Sequence, residues 1–337
     1  MPTRPAIFVA AALALCAVTA HAQTEPQLDA RKKLFPEATG VRAVKAGPGG
    51  RYFVLTSHSI LVFDSNGTKV SEIPPPEPAE LAKKSRPLIV FAEDFAVDSN
   101  GHTYIADRGS NSLKIFSSTG VLEKSVQVDS PTGVAVLSTG EIAVASTMQG
   151  ALITLFDAEG KIVHEIGEHT DLAERAALND FLNSGRLLGD GHDNLYYVFT
   201  YFPEPTIRRY DRNGFATLDT SLTGLEFMPA AQFTRRQITK IQDEGGDIGV
   251  KPAVTGCGVD PASGDVWLAL GNLLVIVSKD GDHTAEYRSY TPEGARLEPR
   301  SILIEPDRLI LVSDTLGVFE FARPDRSQTP AKPAISH

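Results

Sequence analysis

The stretch Phe95-Ala96-Val97-Asp98-Ser99-Asn100-Gly101-His102-Thr103-Tyr104-Ile105-Ala106-Asp107, continued by Leu113-Lys114-Ile115-Phe116-Ser117-Ser118-Thr119-Gly120, decides the fold. A short apolar segment comes first. A Gly turn then opens a β-rich run, and a second apolar run ends in an aromatic residue and a polar-Gly hairpin. The same order returns at once in Gly133-Val134-Ala135-Val136, in 140–145, and in Ile153-Thr154-Leu155-Phe156-Asp157-Ala158-Glu159-Gly160. Short β-branched and aromatic runs bounded by Gly, Asp, Ser and Asn read as strands joined by tight turns. Self-similarity outweighs any single motif, because each copy is a unit that cannot bury its apolar face alone.

Four further copies align with these two, at 41–67, 186–214, 257–281 and 302–321. Taking Phe63, Phe116, Phe156, Tyr210, Val277 and Phe321 as equivalent, the unit recurs at spacings of 53, 40, 54, 67 and 44 residues. The shortest is the length of one four-stranded propeller blade. A fourth strand follows the hairpins, at 69–73, 121–128 and 161–166. These features predict an all-β chain, a six-bladed β-propeller of four-stranded antiparallel blades. Unit six lacks its fourth strand, because the chain beyond Asp325 is polar and carries Pro330 and Pro333. An open edge would expose unpaired backbone groups. The segment Lys32–Phe35 is available to pair it, so a ring closed by an N-terminal strand is expected.

The pattern resembles the six-bladed propellers built of NHL repeats, on Ala96-Val97-Asp98-Ser99-Asn100-Gly101, Tyr104-Ile105-Ala106-Asp107, Ile115-Phe116 and Gly120. Other units keep the pattern and lose positions; unit five has Leu270 where unit two has Asp107. The resemblance covers most of the chain and is specific for fold, not for function.

Residues 1–22 read as a secretory leader: Arg4, an apolar run from Ala6 to Ala20, and Ala20-His21-Ala22 as a small-x-small cleavage site. Leu15 before Cys16 disfavours lipidation. The expected product is an exported protein, periplasmic or secreted, with a propeller over 23–326 and a disordered tail over 327–337. Its 315 residues exceed one ordinary core, which leaves two domains or a repeat array, and the repeat decides. Composition agrees: 42% hydrophobic, 22% charged, and 28 Gly with 22 Pro disfavour a helical bundle. No other apolar stretch approaches a membrane span, so no transmembrane segment is expected in the mature chain. Only Cys257 remains after cleavage, which excludes an internal disulfide and reads as a buried, inert thiol. The net charge of −10, or −11 without Arg4, argues against nucleic acid and anionic membrane surfaces.

Surplus residues fall at 74–90, 168–183 and 220–252, between one unit and the next. In a propeller these connections share one face, which usually marks the binding side. Pro74–Pro78 should be extended, 171–182 fits a short helix, and 220–252 fits a partly helical cap. Candidate ligand-binding residues on that rim are His58, Glu93, Asp94, Asp107, Arg108, Asn183, Arg186, Tyr201, Arg300 and Asp314. For Asp107 and Asp314 the favoured role is capping of local backbone N–H groups. Arg186 and Arg300 begin first strands, where an inward guanidinium serves as an anion ligand or as a partner for Glu93 or Asp94.

Two similar propeller families supply tests. The gluconolactonase-like family holds a divalent cation with a Glu and Asn/Asp at the starts of inner strands. Those starts here are 40–41, 94–95, 133–134, 185–186, 256–257 and 300–301, of which only Asp94 is acidic. The amidating-lyase family uses several His, yet the eight His of this chain show no HxxH or HxH spacing. A G-x-S-x-G elbow is also missing. No catalytic residue and no metal ligand is therefore assigned. The expected function is a non-catalytic binding scaffold for a protein, peptide or carbohydrate, with no cofactor. The alternative is a metal-dependent hydrolase or lyase of the lactonase-like kind, with a divalent cation near Glu93, Asp94 and Asp314; a structural partner in an envelope assembly is a third possibility.

Overall fold

A computed structural model describes residues 26–76, 86–147, 150–246 and 249–325. The leader 1–22, the tail 327–337 and residues 77–85 of the first insertion, including Glu77 and Pro78, lie outside the described residues.

Strand β1 (Gln27–Leu34) precedes the repeat. Four separate four-stranded antiparallel sheets follow in chain order. They are β2 (Ala43–Gly47), β3 (Arg51–Leu55), β4 (Ile60–Phe63) and β5 (Lys69–Ile73); β6 (Ala92–Val97), β7 (Thr103–Asp107), β8 (Ser112–Phe116) and β9 (Leu122–Gln127); β10 (Pro131–Val136), β11 (Ile142–Ser146), β12 (Ala151–Phe156) and β13 (Ile162–Glu168); and β14 (Gly185–Gly189), β15 (Leu195–Phe199), β16 (Thr206–Tyr210) and β17 (Ala216–Ser221). This is an all-β propeller of four-stranded blades.

The rest departs from the expected six separate sheets. Strands β18 (Gly256–Val259), β19 (Val266–Leu270), β20 (Leu273–Val277), β21 (His283–Tyr290), β22 (Ser301–Ile304), β23 (Arg308–Ser313) and β24 (Gly317–Ala322) join β1 in one closed eight-stranded sheet. Two antiparallel runs, β18 to β21 and β22 to β24 plus β1, meet through parallel pairing at both edges. On one edge Cys257 pairs with Ser301; on the other, Gln27 to Asp29 pair with Arg288 to Tyr290. The reason lies in two glycines. A Cβ on Gly256 would sit 2.4 Å from the Pro299 carbonyl oxygen, and one on Gly258 2.1 Å from that of Ile302. Only bare backbone lets these two first strands approach to hydrogen-bonding distance.

The N-terminal strand is longer than Lys32–Phe35. Lys32, Lys33 and Leu34 pair antiparallel with Glu320, Phe319 and Val318, and the strand extends back to Gln27. The edge left by the missing last strand is thereby covered.

The polar-Gly turns explain the recurrence. In Asp64-Ser65-Asn66-Gly67 the Gly67 N–H donates to the Asp64 carbonyl at 3.0 Å, with Gly67 at φ 82°. The Asp64 carboxylate accepts the N–H groups of Asn66 (2.9 Å) and Thr68 (2.8 Å). Asp98 to Gly101 repeats this with Asn100 and His102. Each turn thus satisfies its own backbone and needs no distant partner.

Phe63, Phe116, Phe156, Tyr210, Val277 and Phe321, the recurring anchors, are all buried. Apolar clusters lie between successive runs: Leu55 with Phe95, Ala106 with Val144, Ile153 with Tyr197, Val198 with Leu268, Trp267 with Leu311, and Val312 back with Val54. Truncating one such aromatic to Ala should cost about 3–5 kcal/mol.

Two helices occupy the insertions, α1 (Ala176–Leu182) and α2 (Met228–Glu244). They meet through Leu178, Leu182, Ile238 and Val250, under Phe181 and Tyr201. Helix α1 starts later than Asp171, because the Asn179 side chain accepts the N–H groups of Leu172 (2.8 Å) and Ala173 (3.2 Å) and holds that stretch as a loop. Among the described residues, no helix is long and apolar enough to cross a membrane.

Candidate functional site

At one mouth of the ring the chain entering or opening each first strand brings in a polar residue: Arg42, Glu93, Thr132, Arg186, Thr255 and Arg300. A cavity of ≈ 660 Å³ opens there, between these residues (all but Arg42) and the helical insertion. A second, of ≈ 330 Å³, runs down the channel between Lys45, Asp94, Leu188 and Cys257. Glu93, Thr132, Arg186 and Arg300 line both. They form the floor of the mouth and the ceiling of the channel.

Glu93 is the hub. Its Oε2 accepts from Arg42 Nη2 at 2.6 Å and its Oε1 from Arg300 Nη2 at 2.5 Å. Arg300 also reaches Asp314 at 3.4 Å, and the Arg42 guanidinium lies 4.3 Å from the centroid of Phe91. Burial pushes the Glu93 carboxyl up, but the charges of Arg300, Arg42 and Arg186 outweigh it and hold the group below its ordinary range. Burial, helped by the like charge of Arg300, lowers the Arg42 guanidinium against the pull of Glu93.

Arg186 differs from its neighbours. It donates Nη2 to the Thr255 carbonyl at 3.2 Å and has no ion pair among the described residues. Its Nε is buried without a hydrogen-bond partner, as are Nε of Arg42, Nε of Arg300 and Oγ1 of Thr132. The floor therefore sets three guanidiniums against one carboxylate. Three acids stand around the opening: Asp180, half-buried with its carboxylate 3.5 Å from His169 Nδ1, and the exposed Glu298 and Asp314.

Six of the ten sequence candidates line the mouth: Glu93, Arg108, Arg186, Tyr201, Arg300 and Asp314. Four do not. His58 is exposed in the turn between β3 and β4. Asp94 faces the channel, 3.1 Å from Lys45 Nζ, and accepts the Val134 N–H at 3.2 Å. Asn183 is buried and ties α1 to Thr170, accepting its N–H and donating to its carbonyl, both at 2.8 Å. Asp107 is fully buried and accepts from Val90 N–H (3.0 Å), Phe91 N–H (2.8 Å), Ser110 Oγ (2.7 Å) and Lys114 Nζ (2.6 Å). Burial raises its carboxyl, and the Lys114, Ser110 and backbone donors bring it below the usual range.

Arg42, Thr132, Thr255 and Phe181 were not among the candidates. Arg42 had a signal: Arg42-Ala43-Val44 and Arg300-Ser301-Ile302 are equivalent, since Arg42 N–H donates to Leu55 O (2.8 Å) and Arg300 N–H to Val312 O (2.7 Å). Placing the start of unit one at 40–41 conceals this match.

Cys257 is buried in the β18 strand, and burial pushes its thiol up to about 12. Away from the mouth, Glu226, His283 and Glu286 form the one group among the described residues whose donor atoms lie close enough to share a metal ion. Its imidazole has a carboxylate beside each nitrogen, at 3.7 Å and 3.1 Å.

No protein-family model matches the chain, and no curated protein matches it. Among solved structures it is similar to a streptogramin B lyase, at 14% identity and TM-score 0.54 over 87% of each chain. It is also similar to a virginiamycin B lyase from Staphylococcus aureus, at 14% identity and TM-score 0.53 over 87% of this chain and 98% of that one. The WD40 repeats of RRP9 match at 12% identity and TM-score 0.53, over 88% and 99%. Likeness at such identities shows the propeller fold alone.

Proposed function

We propose that the chain is a six-bladed propeller of the NHL-repeat kind that binds its ligand at the mouth, with no catalysis of its own. Counting the closed eight-stranded sheet as two blades is supported by the apolar clusters, which join six four-stranded runs in a circle. Residues 23–326 then form one domain. Export to the periplasm or medium rests on the leader-like residues 1–22.

The observation that carries the binding reading is the ≈ 660 Å³ cavity whose floor carries one carboxylate, already held by Arg42 and Arg300, and a further guanidinium, Arg186, without an ion pair among the described residues. Its size suits a small ligand or the end of a peptide or glycan. The lactonase-like alternative needs carboxylates free to hold a divalent cation, and these do not fit: Glu93 is bound by Arg42 and Arg300, Asp94 by Lys45, and Asp314 by Arg300. A cation on Glu93 would also sit among three guanidiniums.

A thermal-shift screen of oligosaccharides, peptides and small organic acids tests this reading. Ala177 is exposed on α1 and lines the cavity, so Ala177→Trp fills the opening without touching the core. Ligands that stabilise the native chain and not Ala177→Trp are expected. Ligands indifferent to the substitution, or stoichiometric Ca or Zn lost in Asp94→Ala, would replace binding at the mouth with the enzyme reading.

A further inference from the structure

The mouth is chemically divided in a way that narrows the ligand. Arg186 is a half-buried guanidinium facing a cavity, and a charge so placed costs free energy unless it is paired. Glu93 cannot serve it fully, since both its oxygens are held by Arg42 and Arg300. Arg186 is left with one long bond to a carbonyl and a buried, unpartnered Nε. A planar fork of donors in this state matches a carboxylate, which can take two of them at once.

The wall beside it is aromatic. Phe181 and Tyr201 lie with ring centroids 4.3 Å apart, and both line the cavity with Val254 and Pro299. Such a surface favours a flat apolar body. The acids Asp180, Glu298 and Asp314, the last two exposed, repel a ligand bearing several negative charges at the rim, and the chain as a whole carries −10. One negative charge at the inner end and an uncharged ring at the outer end satisfy all three conditions.

Resting on the reading of the mouth as the binding end, we propose that the ligand is a small aryl monocarboxylate. Its carboxylate sits on Arg186 and its ring lies against Phe181 and Tyr201. Arg186 is the specificity-determining residue.

Calorimetric titration of the full chain with 2-naphthoate, its neutral amide 2-naphthamide, acetate and inorganic phosphate tests this. The acid should bind at least about tenfold more tightly than the amide, the scale of one charge-assisted pair. Arg186→Met should abolish that preference while the melting temperature falls by no more than about 2 °C, since Arg186 gives up one hydrogen bond and no ion pair among the described residues. Phe181→Ala should weaken 2-naphthoate and leave acetate unchanged. Equal binding of acid and amide, tighter binding of phosphate, an unchanged preference in Arg186→Met, or no binding at millimolar concentration would each overturn the proposal. A neutral oligosaccharide or peptide excluded by Ala177→Trp, with 2-naphthoate silent, would overturn the carboxylate inference and leave the mouth as the binding end.

Discussion

Glu93→Gln isolates the charge on which the mouth is built. The Glu93 side chain is 16% exposed and its two partners 13% and 15%, so the pairs are largely withdrawn from water. Removing one partner of a buried pair costs about 3–5 kcal/mol, because the remaining charge loses its compensation. Here Arg300 keeps Asp314 and Arg42 keeps the Phe91 ring, which argues for the lower end, about 3 kcal/mol. At roughly 2 °C per kcal/mol for a chain this long, the melting temperature should fall by about 6 °C at neutral pH. The pH dependence is the sharper test. The folded Glu93 carboxyl lies below its ordinary value of 4.5, so the unfolded chain takes up the proton first as pH drops. The stabilisation is complete above about pH 4.5 and is lost as pH falls through the lower folded value. Melting curves of the two proteins, followed by circular dichroism, should be well separated at neutral pH and converge under acid. A gap that stays constant down to about pH 3.5, or a variant as stable as the parent at neutral pH, would refute the account of Glu93 as a paired hub.

Asp107→Asn should lower stability by about 3–5 kcal/mol in urea unfolding, since Lys114 loses its carboxylate in a buried setting; adding Lys114→Met should restore part of that, and a double variant no better than the single would count against the pair. Deleting residues 24–38 removes β1 from both of its pairings, and a fall of roughly 10 °C or more in melting temperature is expected. An unchanged value would mean that β1 does not close the ring. Cys257, pushed up to about 12 and buried, should react with iodoacetamide at mildly alkaline pH on the order of a hundredfold or more slower in the native chain than in urea; comparable rates would show the thiol to be accessible.

What could be read from the residues was what is local. An Asp or Ser three positions before a Gly closes its own turn, as at Asp64 to Gly67, so hairpins and repeat were visible together. The aromatic at or beside the end of the third strand in five of the six units, with Val277 in the other, announced the core, because its place follows from the same spacing. Contacts set by distant backbone were not visible. Nothing around Gly256 and Gly258 identifies β22 as the strand they touch, so the fusion of two sheets emerges only in three dimensions. Asp107 and Asp314 follow similar strands, yet one is sealed by four donors and the other stands exposed beside Arg300. The difference comes from residues 88–91, which fold over Asp107 from outside its own blade unit. Within the site, Glu93 with Arg300 was foreseeable as a charge pairing. The unpaired state of Arg186 depends on how three strands converge.

The sign of charge that the mouth attracts is the most direct test of the account. Crystals soaked in bromide and, separately, in manganese can be compared by anomalous scattering. The predicted result is a bromide peak within contact of the Arg186 guanidinium and no manganese at Glu93, Asp94 or Asp314. Manganese bound by those carboxylates, with the mouth free of bromide, would contradict it.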